Sequence, residues 1–437
     1  MEALNQVLRE LRARYVELNP NSHAADRAAE NHLPGGNTRT VLHYDPFPLT
    51  MQEGVGAELI DLDGHRYVDF VGEYSAGLFG HSDPRIKAAV DRGLESGIVM
   101  GAPTDYERQL AGVICQRFPA VDQVRFCNSG TEANVWALTT ARMLTGRTKF
   151  IAFHDAYHGG FLKFPGGHCK LNLPLHFQLA EYNDTEAAEA LIRSVGDQLA
   201  AVIVEPILGA GGNIPGDPEF LHTLRQATRE TGALLIFDEV KTARIGPAGM
   251  QGLVGVKPDL TTLGKFLGGG LPIGAFGGSQ EVMQHFNPKH ENSWNHAGTF
   301  NNDVCSMSAG CVAMGEIFTP ERAQEFLDWS EGFRVSLNQA FSERALPMRA
   351  NGLGSIIAIH FSRAPTRRTS DITAGCRALR PLLHMELLLD GILFCGRGDF
   401  FLSLPMNDSH LERAKDALLR FGENHRDLIE HTLEAAG

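Results

Sequence analysis

Short apolar runs alternate with longer helical patterns between about residue 84 and residue 320, and this alternation constrains the fold most strongly. Runs this short, apolar on both faces and separated by helices, are typical of a buried, mostly parallel sheet. The sequence therefore predicts an α/β fold whose large domain has helices near 130–145 and 217–231 on its sheet. The predicted strands are VRFCN, KFIAF, AAVIVEP, ALLIFDEV, DLTTLG and IGAFGGS.

The segment before this alternation has a different pattern. Apolar residues at helical spacing predict an amphipathic opening helix. These are Leu4, Val7, Leu8, Leu11 and Tyr15. Prolines and glycines between Pro34 and Pro48 exclude regular structure over most of the next segment and indicate a long functional loop. Asp63-Gly64, between two alternating stretches, predicts a β-hairpin with a two-residue turn.

The segment after about residue 325 reads as a separate α+β lobe of helices and short strands, including SIIAIHF. We predict that residues 1–55 belong to this smaller α+β domain and supply an active-site loop. Residues 56–325 then form the large α/β domain, and residues 326–437 form the rest of the small one.

Composition limits the partners. The 437 residues include 39 basic and 52 acidic side chains, a net charge of -13, which disfavours nucleic acid and anionic membrane surfaces as partners. The seven cysteines are scattered without disulfide or C-x-x-C spacing. We read them as reduced thiols and expect a cytoplasmic protein. No stretch approaches the roughly 20 apolar residues of a membrane span.

The motif CNSGTEAN stands where the predicted strand VRF gives way to a helix. Ser129 and Glu132 have the spacing of a capping box, and Gly130 allows close approach of a ligand. With the hydroxyl of Thr131, this helix start can bind phosphate through its free amide groups. An ordinary helix cap explains the same residues, but the end of a sheet strand is where ligands bind in open α/β folds.

Two further strand ends carry chemical groups. IFDEV ends in Asp238 and Glu239, where a buried carboxylate needs a cationic or protonated partner, either an arginine or a ring nitrogen. In TTLGKFLGGG, Lys265 stands among glycines and apolar residues, which lowers the pKa of a lysine and suits it to a Schiff base, although many lysines are simply solvated. Asp259 and Phe266 occupy positions where a P-loop needs Gly and Ser or Thr, and no G-x-G-x-x-G pattern is complete.

A phosphate-binding helix start, a carboxylate and a Schiff-base lysine are together the parts that hold pyridoxal 5'-phosphate. The chain resembles the class III aminotransferases of fold type I, and within them the branch of β-phenylalanine (β-amino acid) aminotransferases and glutamate-1-semialdehyde aminomutases. The motifs that carry the resemblance are PGGNTRT, CNSGTEAN, HDAYHGG, VIVEP, IFDEV, TTLGKFLGGGLPIGA and HAGTFNN.

The resemblance implies a role for each matching residue. Lys265 would form the Schiff base, and Asp238 would pair with the pyridine nitrogen. Tyr157 would stack on the ring, and Val240 would pack on its other face. The remaining cofactor residues implied are Ser129, Gly130 and Thr131 at the phosphate, Glu205 as a polar support, and Thr299 at the phosphate of the neighbouring subunit's cofactor. That last role implies a homodimer with active sites at the interface.

Two features of the sequence argue against other readings of nearby residues. His154 and His158 have a spacing that metal ligands use, but no third ligand accompanies them, so we expect no metal. The loop DEVKTARIGPAGM departs from the commoner DEVQTGFGRTG, so substrate contacts inferred from that loop are not transferred, and Arg244 is read as a surface residue.

Two arginines are candidate substrate-binding residues. Arg39 lies in the N-terminal loop, and Arg397 lies between two short strands. Each could be an ordinary solvated arginine or could bind a substrate carboxylate. β-Phenylalanine aminotransferases have substrate-binding arginines in matching contexts, whereas the aminomutases have a glutamate where this chain has Gly396 to Asp399. We therefore expect an aminotransferase that moves the amino group of a β-amino acid to 2-oxoglutarate or pyruvate by a ping-pong mechanism. The alternatives are an aminomutase-like isomerase and, less favoured, a regulatory protein that binds the cofactor without turnover.

Overall fold

The computed structural model describes residues 2–435. Within them the helices are α1 (Glu2–Leu18), α2 (Pro20–Ala29), α3 (Pro84–Ser96), α4 (Asp105–Arg117), α5 (Gly130–Thr145), α6 (Thr185–Val195), α7 (Pro218–Thr231), α8 (Gly249–Val254), α9 (Gln280–Met283), α10 (Val304–Val312), α11 (Pro320–Glu343), α12 (Ala374–Leu389), α13 (Asp408–Asn424) and α14 (Arg426–Glu434). The predicted helices near 130–145 and 217–231 are confirmed as α5 and α7.

The strands of the same residues form four sheets. They are β1 (Met51–Val55), β2 (Glu58–Asp61), β3 (Arg66–Asp69), β4 (Gln123–Cys127), β5 (Lys149–Phe153), β6 (His176–Ala180), β7 (Leu199–Val204), β8 (Ile207–Leu208), β9 (Ile214–Pro215), β10 (Leu234–Asp238), β11 (Leu260–Gly264), β12 (Gly274–Gly278), β13 (Arg349–Leu353), β14 (Ile356–His360), β15 (Ile392–Leu393) and β16 (Asp399–Phe401).

The central sheet has seven strands in the order β4-β12-β11-β10-β7-β5-β6. β12 runs antiparallel to both of its neighbours, and the other neighbouring pairs are parallel. The mostly parallel α/β sheet is therefore confirmed, and all six predicted strands belong to it. β6 was not predicted, because HFQLA at the sheet edge is only partly buried and lacks the continuous apolar run of β7.

The register of this sheet brings three strand ends together. Gly264 at the end of β11 pairs with Gly274, which in turn pairs with Cys127 at the end of β4. Asp238 at the end of β10 pairs with Thr262 of β11. Adjacent strands are about 4.8 Å apart, so the three ends lie within about 10 to 15 Å of one another at one edge.

The N-terminal and C-terminal segments share a second sheet, in the order β1-β2-β3-β15. Ile392 of β15 pairs with Val68 of β3. The predicted hairpin is confirmed, but three residues instead of two separate Asp61 from His65, because the Asp61 carboxylate accepts hydrogen bonds from two turn amides. The division at residues 55 and 325 stays a prediction, and a cut at residue 55 runs through this sheet.

The remaining segments lie outside the central sheet. Residues 31–50 have no regular structure beyond short 3-10 turns at 34–36 and 40–42, as predicted. Helix α1 packs on α12 through a shared apolar cluster that includes Leu4, Leu8 and Leu383. A third sheet, β13-β14-β16, belongs to the C-terminal segment. Within residues 2–435, no helix is long and apolar enough to cross a membrane.

Candidate active site

Helix α5 begins where β4 ends. Oγ of Ser129 accepts a hydrogen bond from the Glu132 amide at 3.2 Å, so the predicted cap is present. The Glu132 carboxylate reaches back to the amide of Asn128 at 3.0 Å, one residue before the position of a standard capping box. The first amides of a helix have no partner within it, which leaves those of Gly130 and Thr131 for an anion.

Glycines bring this helix start close to the neighbouring loops. A Cβ atom on Gly130 would lie 2.7 Å from Cγ1 of Val240, and one on Gly159 would lie 2.5 Å from Oγ1 of Thr131. Gly159 also has a φ of +125°, which side chains rarely adopt. Oγ1 of Thr131 accepts a hydrogen bond from the Gly160 amide at 3.2 Å. Because Gly130 and Gly159 carry no side chain, the start of α5 packs closely against Val240 and the Gly159–Gly160 segment.

The carboxylate of Asp238 is buried and strongly hydrogen-bonded. Its Oδ2 lies 2.8 Å from Nδ1 of His158 and accepts from Nδ2 of Asn134 at 2.8 Å. Its Oδ1 accepts from the Val240 amide at 3.1 Å. The Asn134 amide also donates to the His158 carbonyl at 2.9 Å. The network fixes both the position of the acid and the orientation of its oxygens.

One acceptor position of Asp238 is open. Oγ1 of Thr262 lies 3.5 Å from Oδ1 of Asp238 but only 2.6 Å from Oδ1 of Asn134, and a hydroxyl has one proton to donate. The threonine therefore donates to Asn134, and Oδ1 of Asp238 keeps a lone pair. A protonated ring nitrogen is a donor that fits this position.

Lys265 follows the last residue of β11 and has a φ of +54°. This left-handed conformation is costly for a lysine and is found where surrounding structure enforces it, often at functional sites. Burial lowers the pKa of Lys265, although the Asp238 and Glu205 carboxylates oppose that shift. Within residues 2–435, its amine has no ion-pair partner. A lowered pKa favours the neutral, nucleophilic form of a lysine.

Tyr157 and Glu205 are joined by a hydrogen bond near Asp238 and Lys265. Oε2 of Glu205 accepts a hydrogen bond from the Tyr157 amide at 3.0 Å, and Oε1 accepts from the Gly209 amide at 3.3 Å. Burial raises the pKa of Glu205. The Tyr157 side chain is 47% exposed, which leaves its ring free to contact a ligand. The glutamate therefore holds the backbone of the segment that carries the tyrosine.

A second buried lysine, Lys241, was not identified from the sequence. Its Nζ donates to Oδ1 of Asn213 and lies 4.6 Å from the centre of the Phe401 ring. Burial lowers the pKa of Lys241 to about 7, and the positive charges of Lys265 and Arg397 add to this shift. Nδ2 of Asn213 contacts Oδ1 of Asp399 at 3.3 Å, so a polar chain runs from Lys241 to that acid.

The two arginines predicted to bind substrate lie on the same tyrosine. The guanidinium carbon of Arg39 is 5.4 Å from the centre of the Tyr74 ring, and that of Arg397 is 5.7 Å from it. Arg397 also donates to Oδ2 of Asp399 at 2.7 Å, and the Asp399 charge raises the pKa of Arg397 above its ordinary value. Nε of Arg397 is buried without a hydrogen-bond partner in the described residues. A ligand carboxylate would satisfy this donor.

A cavity of about 1200 Å³ adjoins Arg397 and the loop that carries Arg39. Its lining includes Tyr74 and Arg397 but, among the residues described, neither Arg39 nor Lys265. Apolar side chains such as Val41 and Leu393 also line it. A substrate side chain of aryl size fits a space of this volume.

The structure corrects one sequence reading and gives the contacts of two further groups. Arg244 is not a surface residue: its guanidinium is buried and donates to Oγ of Ser355 at 3.0 Å and to the Ser75 carbonyl at 3.1 Å. The error arose because DEVKTARIGPAGM gives no periodicity from which burial can be read. Burial lowers the pKa of Arg244 to about 9.

Glu239 and the histidines are the other two cases. Glu239 is buried, and its carboxylate accepts hydrogen bonds from the amides of Met250 at 2.9 Å and Gln251 at 2.8 Å. These bonds hold the loop that follows β10, so the carboxylate has a structural role and is not assigned to the cofactor. His158 pairs with Asp238, whereas His154 lies 3.7 Å from Glu181. No cluster of metal-binding side chains occurs in the described part of the chain.

Thr299 lies on the outside of the single chain. It is exposed, in an irregular segment before α10. Asn301 in the same segment accepts a hydrogen bond from Nδ2 of Asn128 at 3.2 Å, which places the segment beside the start of α5. The contact of Thr299 with a neighbouring subunit stays a prediction.

Comparison with known proteins identifies the family. A family model described as Aminotransferase class-III matches residues 41–404. The chain belongs to the class III aminotransferases, which are pyridoxal phosphate-dependent transaminases of fold type I.

Individual relatives agree with this assignment. The chain is 43% identical to a β-phenylalanine transaminase of Variovorax paradoxus over 98% of each chain. The crystal structure of the β-phenylalanine aminotransferase from Variovorax paradoxus superposes with a TM-score of 0.95, covering 97% of this chain and 99% of that one. A glutamate-1-semialdehyde 2,1-aminomutase of Brevibacillus brevis is 35% identical over 89% of this chain and 95% of its own. A transaminase structure with bound pyridoxal phosphate, 28% identical, has a TM-score of 0.84 and covers 96% of this chain and 99% of its own.

The residues at the strand ends fit pyridoxal phosphate. The free lone pair on Asp238 suits the protonated ring nitrogen, the α5 start suits the phosphate, and Lys265 is an unpaired amine between them. Gly130 and Gly159 let the segments at Val240 and Gly160 pack closely against this helix start.

Proposed function

We propose that this chain transfers the amino group of a β-amino acid, such as β-phenylalanine, to 2-oxoglutarate or pyruvate by a ping-pong mechanism. One observation carries the proposal: Arg39 and Arg397 both lie against the Tyr74 ring, so two guanidinium groups stand beside one aromatic side chain. A guanidinium binds a carboxylate through two parallel hydrogen bonds. Similarity to the Variovorax paradoxus β-phenylalanine transaminase supports the same substrate class.

Two carboxylate binders suit an enzyme that accepts two kinds of acid in turn. In a β-amino acid the amine-bearing carbon is one atom further from the carboxylate than in an α-amino acid. The two carboxylates therefore reach different places when the amines occupy the same place. We assign the carboxylate of the β-amino acid to Arg39 and that of the 2-oxo acid to Arg397.

The cofactor residues have distinct roles in this proposal. Ser129, Gly130 and Thr131 hold the phosphate, Tyr157 and Val240 contact the two faces of the ring, and Glu205 supports Tyr157. Asp238 accepts a hydrogen bond from the protonated ring nitrogen. When bound, pyridoxal phosphate supplies the aldehyde that receives the amino group and a ring that withdraws electrons from the substrate carbon.

The protein groups orient the substrate and move its proton. Nζ of Lys265 would hold the cofactor aldehyde in the resting enzyme, and its free amine would accept the proton from the amine-bearing carbon of the substrate. Burial lowers the pKa of this amine, which favours the neutral form that a base requires. Asp238 keeps the ring nitrogen protonated because its oxygens are fixed by His158, Asn134 and the Val240 amide.

The proposal includes a cytoplasmic homodimer. Thr299 would complete the phosphate site of the neighbouring subunit, which agrees with its exposure in the single chain. An exposed apolar stretch supports an interface, because water-facing side chains of this size seldom occur together. Its members are Leu94, Ile98, Val99 and Met100. The free thiols of all seven cysteines agree with a reducing compartment.

A glutamate-1-semialdehyde aminomutase is the second candidate, because such enzymes are relatives at 35% identity. The glutamate expected of them is absent from Gly396 to Asp399. The test is an assay of the purified holoenzyme with racemic β-phenylalanine, β-alanine and glutamate-1-semialdehyde, each against 2-oxoglutarate and pyruvate. Oxo product from β-phenylalanine supports the proposal, and turnover of glutamate-1-semialdehyde alone assigns the aminomutase reaction.

A further inference from the structure

Both substrate arginines are already in contact with a carboxylate of the protein. Arg397 contacts Asp399, and Nη1 of Arg39 contacts Oε1 of Glu73. The two acids differ in exposure: the side chain of Asp399 is 1% exposed, and that of Glu73 is 61% exposed. The two arginines are therefore held in different ways.

Asp399 is a fixed partner. It lies in β16, and its Oδ1 is held by Nδ2 of Asn213 at 3.3 Å while Oδ2 accepts from Arg397 at 2.7 Å. Asn213 is in turn held by Lys241. Separating this buried acid from its arginine would leave an uncompensated charge, which is strongly unfavourable. Arg397 therefore keeps Asp399 and offers its remaining donors to a ligand.

Glu73 is a displaceable partner. An exposed ion pair of this kind contributes little stability, because water solvates both groups when they separate. Arg39 does not lose its orientation when the pair opens, since its guanidinium also lies 5.4 Å from the centre of the Tyr74 ring. Its backbone amide is held by Oδ1 of Asn37 at 3.0 Å.

The turn that carries Glu73 is built to present it. Gly72, Glu73, Tyr74 and Ser75 all have positive φ values, from +46° to +77°. Three successive non-glycine residues in this region are unfavourable and persist only where contacts enforce them. Oδ1 of Asp69 accepts from the Gly72 amide at 3.1 Å, and Arg244 donates to the Ser75 carbonyl at 3.1 Å. Both ends of the turn are therefore clamped.

We propose that Glu73 is an internal stand-in for the substrate carboxylate at Arg39, displaced when a β-amino acid binds. A substrate whose carboxylate reaches Arg39 replaces one ion pair by another, whereas a 2-oxo acid bound at Arg397 leaves the Glu73 pair intact. Glu73 thus sets the affinity for one substrate class and not the other. The inference rests on the proposed assignment of Arg39.

The experiment compares Glu73→Gln with wild-type holoenzyme in single-turnover half-reactions, followed by cofactor absorbance. The glutamine keeps the size of the side chain but removes the competing charge. We expect the apparent Kd for β-phenylalanine to fall about twofold to fivefold, the range that an exposed pair supports. The apparent Kd for 2-oxoglutarate in the second half-reaction should not change.

Two controls separate this effect from others. Glu325→Gln makes the same chemical change in an exposed ion pair of α11, that with Arg322 at 3.0 Å, and should leave both Kd values unchanged. In the Arg39→Ala background, Glu73→Gln should have no effect on β-phenylalanine binding.

A weaker affinity for β-phenylalanine in Glu73→Gln, or an unchanged one, would overturn the inference. Equal gains for both substrates would overturn it too, because they would indicate general repulsion. If Arg39→Ala itself leaves β-phenylalanine binding intact, the proposed function of Arg39 fails instead, so the two failures can be told apart.

Discussion

Nδ1 of His158 lies 2.8 Å from Oδ2 of Asp238, inside the protein and beside the amide of Asn134. The histidine is thus a partner of the acid that we assign to the cofactor nitrogen. Its Nε2 is buried and has no hydrogen-bond partner among the described residues. The pair makes His158 a positioning residue for Asp238.

Replacing His158 by Phe should slow the half-reaction with β-phenylalanine roughly 10- to 150-fold. The reason is that a hydrogen bond to a charged group contributes about 1.5 to 3 kcal/mol, and its loss lets the acid turn. The cofactor absorbance of the resting enzyme and its pH dependence should change as well. His154→Phe, in the same loop but without the Asp238 contact, is the matched control and should behave as wild type.

Replacing Lys265 by Ala should abolish transamination while part of the cofactor affinity survives. The covalent link and the proton carrier are lost, but the helix start of α5 still binds phosphate. Cofactor retention is measured by absorbance after gel filtration, beside the activity assay. Lys257→Ala, an exposed lysine before β11, is the control. A Lys265→Ala enzyme with full turnover would refute the assignment.

Replacing Lys241 by Met should change how stability depends on pH. Burial lowers the pKa of Lys241 from 10.5 to about 7, so the unfolded chain binds this proton more tightly. Above about pH 10.5 the lysine is neutral in both the folded and the unfolded chain, and its burial costs no stability by this route. As the pH falls from 10.5 to 7, the unfolded chain takes up the proton and the folded protein does not, so the folded protein loses stability. Below pH 7 both states are protonated and stability changes no further.

The wild type should therefore gain stability over Lys241→Met by up to about 1.4 kcal/mol per pH unit between pH 7 and 9.5. The measurement is the difference in Tm between the two proteins at constant ionic strength across that range. Lys257→Met should show no such trend. A pH-independent Tm difference for Lys241→Met would contradict the expected titration.

Mixing Thr299→Ala with Lys265→Ala subunits tests the shared site. If Thr299 binds the partner's cofactor, a mixed dimer has one complete site, with Lys265 from one subunit and Thr299 from the other. Tight cofactor binding and activity should then return after the two proteins are unfolded and refolded together. Sedimentation of each protein checks that the active species is a dimer. Failure to restore activity in proven mixed dimers would place Thr299 outside the partner's site.

The sequence predicted the parts of this protein that local pattern determines. Apolar runs between helices specify the sheet, and its carboxyl edge then collects Ser129, Asp238 and Lys265 because parallel strands end together. The cap formed by Ser129 and the hairpin at Asp63-Gly64 were predictable for the same reason. The family resemblance added roles to these residues that spacing does not supply.

The contacts that the sequence did not reveal all join distant segments. Asn134 and Asp238 are 104 residues apart, and Arg244 and Ser75 are 169 residues apart. No periodicity marks a residue whose partner lies on another element, so Arg244 was read as a surface residue. The same holds for Lys241, whose burial follows from Asn213 and Phe401.

The division of labour between Arg39 and Arg397 is the central claim, and one set of single-turnover spectra tests it. The rate and apparent Kd of each half-reaction are measured for Arg39→Ala and Arg397→Ala with β-phenylalanine and with glutamate. Losing a charge-assisted contact costs about 1.5 to 3 kcal/mol, so the affected reaction should fall roughly 10- to 150-fold. We predict that Arg39→Ala impairs the reaction with β-phenylalanine far more than that with glutamate, and that Arg397→Ala does the reverse. Equal losses with both substrates in both variants would contradict separate carboxylate sites.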